Sequence, residues 1–251
     1  MRARTLIAIV GIPAFAVFMV LTAPASFIAA RARDESRGRV HFDETRGTFW
    51  SGSMRALVDA PGGPVTLERI AWRLVPAKLV EGRLAFDVSV DSRDARANVQ
   101  VLRGWSEWEA RDGTARIDAR LLPAFSPLVA AWRPEGALSI TIGDVRWDEQ
   151  QLHGPVTVEW LDAGVTLSEV KPLGAYRLVL QGTGATAKIA LSTLSGPLEI
   201  SGNGEWKLPR AMAFTGEARA QGSSAAALEP LLNLMGPKRP DAARSIEVLI
   251  R

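Results

Sequence analysis

Cysteine is absent from all 251 residues, which removes disulfide staples, zinc thiolate sites and thiol nucleophiles from consideration. Histidine occurs only twice, too few to build a multi-histidine metal site. Charge of one sign is also lacking. The 30 basic side chains nearly balance the 27 acidic ones, and two of the basic ones, Arg2 and Arg4, precede the apolar start of the chain. Nucleic-acid binding needs a dense basic face, which a balance of this kind does not supply. No low-complexity linker interrupts the sequence, and the 22 glycines, 15 prolines and eight tryptophans are scattered along it. That composition excludes disorder and leans toward strand and turn.

The first feature that is present is apolar. From Thr5 to Ala30 the chain carries no charge, with Arg2 and Arg4 before the run and Arg31 and Arg33 after it. At roughly 1.5 Å per residue, a helix over this run is long enough to cross a hydrocarbon core of about 30 Å with some tilt. A spanning helix also tolerates Pro13 better than a soluble one does. The competing reading is a cleaved export signal, with Ala23-Pro24-Ala25 supplying small residues at the cut. Continuation of the run through Phe27 and Ile28 favours the uncleaved anchor. The expected division is 1–30 for a cytoplasmic start and transmembrane anchor, and 31–251 for a periplasmic β-rich domain. Arg2 and Arg4 favour a cytoplasmic start, whereas Arg31, Arg33, Arg37 and Arg39 count the other way; the export-signal character of the start decides for the former.

Beyond residue 31, short runs alternate apolar and polar residues, the period of a strand with one buried and one solvated face. Leu84 to Val90, Leu138 to Ile142, Val156 to Glu159 and Leu198 to Ser201 follow this pattern, and Ala175 to Leu180 and Ile246 to Ile250 read as further strands. A loose unit Gly-x-[Leu/Val]-x-[Phe/Ile/Val] opens several of them, at Gly82, Gly136, Gly154 and Gly196, as expected if each glycine makes the turn into a new strand. A longer echo joins Trp72 to Gly82 with Trp206 to Gly216, and suggests a duplicated unit. Two helical segments are predicted. Leu121 to Ala131 is a short turn interrupted by Pro127. Ser223 to Met235 is capped by Ser223 or Ser224, buries Ala225, Leu228, Leu231, Leu232 and Met235, and is ended by Gly236-Pro237. The fold class is therefore mainly β: an N-terminal transmembrane helix, then a curved antiparallel β-sheet or partly open β-sandwich of roughly ten or more strands, with a short C-terminal helix.

Chemistry-bearing patterns are sparse. The Gly47 to Ser53 block holds two serines but is not Gly-x-Ser-x-Gly, and no histidine can be placed beside either; a bend carrying Phe49 and Trp50 inward is the better reading. Gly182-Thr-Gly184 lacks the following helix that phosphate binding requires, and reads as a hairpin turn. His41 and Asp43 read as a surface pair. Asp144, Asp148, Glu149, Glu107 and Glu109 read as solvated turn charges. No catalytic, cofactor or metal residue is assigned. The tryptophans are expected to anchor the core, or alternatively to line a groove or partner surface.

Two stretches carry a resemblance. Arg46-Gly47-Thr48-Phe49-Trp50-Ser51-Gly52-Ser53 is followed by Ile70-Ala71-Trp72-Arg73-Leu74-Val75-Pro76 and Leu79-Val80-Glu81-Gly82-Arg83-Leu84. The first resembles the Gly-Thr-[Leu/Val/Phe]-Trp-x-Gly signature of type II secretion system protein N, also called general secretion pathway protein N. Pro134 to Leu138, Gly143 to Trp147 and Leu173-Gly174-Ala175-Tyr176 are similar to further stretches of that family. The resemblance implies an accessory, non-enzymatic component of the secretion machinery in the bacterial inner membrane, with one N-terminal span, no cofactor, and other inner-membrane secretion components as partners. Gly47, Thr48, Trp50, Gly52, Trp72, Pro76 and Gly82 are its motif positions, with structural or contact roles. The alternative is an AsmA-like, membrane-anchored β-groove that binds or transfers envelope lipids.

Overall fold

A computed structural model describes residues 22–36, 40–59, 63–125, 127–241 and 243–250. Its strands are β1 (Val40–Gly47), β2 (Ser51–Val58), β3 (Val65–Leu74), β4 (Leu84–Asp91), β5 (Ala95–Arg103), β6 (Trp108–Asp118), β7 (Pro134–Ile142), β8 (Val145–Trp147), β9 (Leu152–Val165), β10 (Gly174–Gly184), β11 (Thr186–Ser195), β12 (Leu198–Lys207), β13 (Ala211–Ala220) and β14 (Arg244–Ile250). All fourteen form one antiparallel sheet in which neighbours in sequence are neighbours in space. The exception is β8, which continues the line of β7 past Gly143 and pairs with β6 and β9. Among the described residues, then, the architecture is a single open meander and not a sandwich.

Alternation in the sequence becomes two chemically distinct faces. One cross-strand row runs Ala115, Ile140, Val158, Leu178, Leu191, Gly202, Gly216, Ile246 from β6 to β14. One residue along each strand, the opposite face reads Thr114, Thr141, Thr157, Val179, Ala190, Asn203, Thr215, Glu247. A slip of one residue would exchange the two rows, so the register is strongly specified. Glycines on the apolar face are covered by neighbouring rings. A Cβ on Gly202 would stand 2.5 Å from Phe214 Cζ, and Gly204 and Gly216 are close beneath the same ring.

Among the described residues, helices cover this apolar face only at its two flanks. Helix α1 (Ser26–Glu35) follows Ala25, and Ala25 and Ala29 pack with Met54 and Trp72, ringed by Phe42, Ile70, Phe86 and Val88. After a single short turn, α2 (Leu122–Phe125), helix α3 (Ala225–Met235) buries Leu228, Leu231 and Leu232 against Leu198, Ala218, Val165 and Leu173. Between these clusters, Val99, Ile140, Val158, Leu178 and Leu191 belong to neither. They are half-buried, shielded by their neighbours on the same face.

Several expectations meet a different structure. Gly82 and Gly196 do precede strands, but Gly136 and Gly154 lie inside β7 and β9 with φ of 106° and 103°. A register shift flanks Gly136, so that glycine serves a bulge and not a turn. Helix α3 is preceded by a 3-10 turn (Gly222–Ser224), and Ser224 makes no side-chain cap bond because its backbone is already helical. The echo between Trp72 and Trp206 holds through the proline turn, after which Gly82 precedes β4 whereas Gly216 lies mid-strand in β13. The predicted membrane span falls mostly on residues 1–21, outside the described residues. Among those described, no helix is long and apolar enough to cross a membrane. Helix α1 extends across the expected division at 30/31, and the last residues of the apolar run pack on the sheet.

Candidate functional site

Because the strands alternate in direction, the connections at 48–50, 75–83, 104–107, 148–151, 185 and 208–210 all lie along one rim of the sheet. The seven motif positions collect at this rim. Gly47 ends β1 at a φ of 91°, and a Cβ there would collide with the Ser51 carbonyl and stand 2.8 Å from Gly52 Cα. Gly52 faces Trp72, whose Cζ2 would be 2.6 Å from an added Cβ. These two glycines let two backbones and an indole occupy space that side chains would fill.

Thr48 holds the bend between them. Its backbone N–H donates to the Ser51 carbonyl at 2.9 Å, and its Oγ1 accepts from the N–H groups of Trp50 and Ser51 at 3.3 Å each. Trp72 Nε1 donates to the Phe49 carbonyl at 3.0 Å, and Leu74 N–H to the Trp50 carbonyl at 2.7 Å. Phe49 meets Trp50 and Phe86 edge-on. The bend expected for this block is present, with Phe49 and Trp50 half-buried.

The same bend fastens the incoming chain. Phe49 N–H donates to the Ala23 carbonyl at 2.8 Å, Ala25 N–H donates to the Gly47 carbonyl at 3.2 Å, and Pro24 forms a bridge with Thr48. Residues 23–25 are thus tied to the sheet at this rim, and α1 runs from it along the apolar face.

Pro76 and Gly82 bracket the next connection. Pro76 opens a 3-10 turn (Pro76–Glu81), where its missing N–H is not needed. Gly82 closes the turn in the left-handed region, with Gly82 N–H donating to the Leu79 carbonyl at 3.0 Å. A 2.8 Å ion pair between Lys78 and Glu81 clamps the turn. Leu79 and Val80 are left outside, Val80 at 92% exposure.

The tryptophans divide. Trp72 is buried, whereas Trp105, on the 104–107 connection, is 97% exposed. Core anchoring does not hold for it, because a turn tip reaches no second layer. Trp108 and Trp147 stack across β6 and β8 with centroids 6.3 Å apart, and the Arg103 guanidinium lies 4.8 Å from the Trp108 ring.

Carboxylates behave differently from the sequence expectation at one position. Glu109 is buried within β6 and accepts from Arg83 at 2.8 Å and from Arg111 Nε at 2.8 Å. Two guanidiniums, Arg111 on β6 and Arg83 at the end of the connection before β4, replace the solvent expected around it; Arg83 stands 26 residues away in sequence, where no local pattern reveals it. The hydrogen bond that Arg111 donates to Glu109 also holds the Arg111 guanidinium above its ordinary pKa. His41 pairs with Asp59 at 3.4 Å, and Gly182-Thr-Gly184 ends β10 at a hairpin into β11. No group of three or more potential metal ligands occurs among the described residues.

The rim joins interlocked glycines, an indole tie and projecting apolar side chains. Compared with known families, the chain matches a sequence model described as type II secretion system protein N over residues 38–248. No curated protein and no solved structure matches it.

Proposed function

The chain belongs to the type II secretion system protein N family, and from that premise we propose that it is an accessory component at the bacterial inner membrane, acting by protein contacts and not by catalysis. In this reading the uncharged run before residue 22 is the single membrane anchor, and the sheet stands in the periplasm. The partners are other inner-membrane components of the secretion machinery.

One observation supports a contact role beyond the family match. The sheet ends in two edge strands, and β14 pairs only with β13 from Ile246 to Ile250 among the described residues. Val248, Leu249 and Ile250 are exposed along it. An edge of this kind offers backbone N–H and C=O groups to an added strand, with apolar side chains beside them.

A second reading draws on the apolar face. Between the α1 and α3 clusters, the row from Val99 to Leu191 is flanked but not covered by the helices of the described residues, which suits an acyl chain lying across the strands. It corresponds to the AsmA-like lipid-groove alternative.

Both readings are tested by mass spectrometry of the chain purified gently from native membranes, reading proteins and lipids from one sample. Stoichiometric secretion subunits without bound lipid support the first. About one lipid per chain without those subunits overturns it in favour of the second.

A further inference from the structure

Most of the exposed large apolar side chains at this rim gather at one end of it; Leu249 and Ile250, at the end of β14, stand apart at the other. Phe27, Leu79, Val80, Trp105 and Trp108 are all exposed and lie on the β1 to β6 side of the rim, where the chain enters the domain. Phe27 is in the first turn of α1, Leu79 and Val80 on the clamped turn before β4, and Trp105 and Trp108 at the β5–β6 connection. Around them stand Lys78, Arg83 and Arg103, with Glu81 and Glu107 as the acidic neighbours on the same connections. Lys78 is engaged by Glu81 and Arg83 by Glu109, while Arg103 lies over the Trp108 ring.

The chain entering at this rim identifies what it faces. From Thr5 the sequence is uncharged, and by Ala23 it is already hydrogen-bonded to Phe49 in the β1–β2 bend. No polar spacer separates the apolar run from the sheet. A helix over Thr5 to Leu21 would be about 26 Å long at 1.5 Å per residue, close to the roughly 30 Å of a hydrocarbon core. If that run spans the bilayer, residues 23–25 emerge at the interface, and the rim they are tied to stands there too.

We propose that this rim is a membrane-docking surface: Val80, Leu79 and Trp105 insert into the interfacial region of the bilayer that the N-terminal run spans, with Trp108 and Arg103 at headgroup level. The chemistry suits that occupant. An indole combines an apolar ring with a polar N–H and concentrates where hydrocarbon meets headgroup, and lysine and arginine stems reach past apolar contacts to the phosphates. The Pro76–Gly82 frame and the Lys78–Glu81 clamp hold Val80 outward as a fixed wedge. Docking sets the sheet upright on the membrane, with its strands close to the bilayer normal and the opposite rim, with α3, furthest away.

The inference rests on the membrane-anchor reading above, and its test separates the two. The chain contains no cysteine, so single nitroxide labels can be placed at Val80→Cys, Trp105→Cys and, at the opposite rim, the exposed Leu167→Cys. The full chain is reconstituted in vesicles of phosphatidylethanolamine and phosphatidylglycerol. Flotation after an alkaline wash reads the anchor. Collision of the label with oxygen against a water-soluble nickel chelate reads depth. Labels at 80 and 105 should show an oxygen-to-nickel ratio several-fold above that at 167. Flotation with all three labels equally aqueous retains the anchor and overturns the docking surface. So does protection at 80 and 105 that disappears when the protein-to-lipid ratio of the vesicles is lowered, since that marks contact with a second copy. A chain that does not float overturns both readings.

Discussion

Trp72 is the side chain on which the sheet, α1 and the motif bend all depend, and its replacement is the sharpest test of the structural account. The indole is 7% exposed, packs with Ala25, Ala29 and Met54, and donates to the Phe49 carbonyl. In Trp72→Phe the hydrogen bond is lost, at about 1 kcal/mol, and a smaller ring leaves part of the space unfilled, at about 1 kcal/mol more. Trp72→Ala removes nearly all of the packing, and large aromatic truncations of this kind cost about 3–5 kcal/mol. For a domain of this size, each kcal/mol lowers Tm by roughly 2–4 °C. The Phe variant should melt about 4–8 °C below the parent and the Ala variant about 6–20 °C below it, in thermal scans of the full chain in mild detergent followed by near-UV circular dichroism. Because Trp72 is what α1 packs on, proteolysis should also cut faster within residues 22–36 in the Ala variant than elsewhere in the chain. Equal melting of all three proteins, or a destabilised Ala variant whose residues 22–36 stay as protected as before, would refute the reasoning.

Two glycines of the motif should respond unequally. Gly47→Ala meets the Ser51 backbone in a left-handed conformation and should lower the urea midpoint severely, whereas Gly82→Ala has open space around it and should cost only about 1 kcal/mol; similar losses in both would remove the steric argument. Glu109→Gln takes the negative charge from between Arg83 and Arg111, each about one third exposed. Since water can reach both arginines, the loss should be about 2 kcal/mol, below that of a fully buried pair, and an unchanged urea midpoint would count against the pairing. Tyr176 is the only tyrosine; it is buried, its hydroxyl donates to the Leu198 carbonyl at 2.8 Å, and burial raises its pKa far above the ordinary value. The folded state disfavours the phenolate, so this contribution is complete below the unfolded pKa of about 10 and is lost as pH rises above it. Alkaline absorbance titration should show no tyrosinate until the chain unfolds, and ionisation near pH 10 with native circular dichroism intact would contradict the burial.

Strands were the most legible part of the fold, for a physical reason. Most of the sheet has one apolar and one polar face, so Leu84 to Val90 or Val156 to Glu159 could announce themselves by period alone; Ala85 and Leu102, buried on the other face, depart from it. Registers were less legible: Gly136 and Gly154 resemble turn glycines, and only their cross-strand partners show that they relieve crowding inside strands. The motif positions were readable as a set, but not as one place, because the β1–β2 bend and the Pro76–Gly82 turn meet only through β3 and the alternation of strand direction. Trp105 was misread with the other tryptophans. Its setting, Gly104-Trp-Ser-Glu107 between two strand patterns, held the signal for a turn tip. Glu109 was misread because its partner Arg83 belongs to another strand connection altogether.

The meander has a consequence for the order in which the protein can be assembled. Each strand pairs with one already made close by in sequence, and the cluster of Ala25, Ala29, Met54 and Trp72 closes once β4 is in place. A nascent chain emerging from its N-terminus can therefore complete a helix-covered, four-strand seed while nearly two thirds of its length is still unmade. Every later hairpin is then added to a growing edge, as a zipper closes from a fixed pin, with no partner to await from a distant part of the sequence. The last edge to appear, β14, takes no further strand among the described residues.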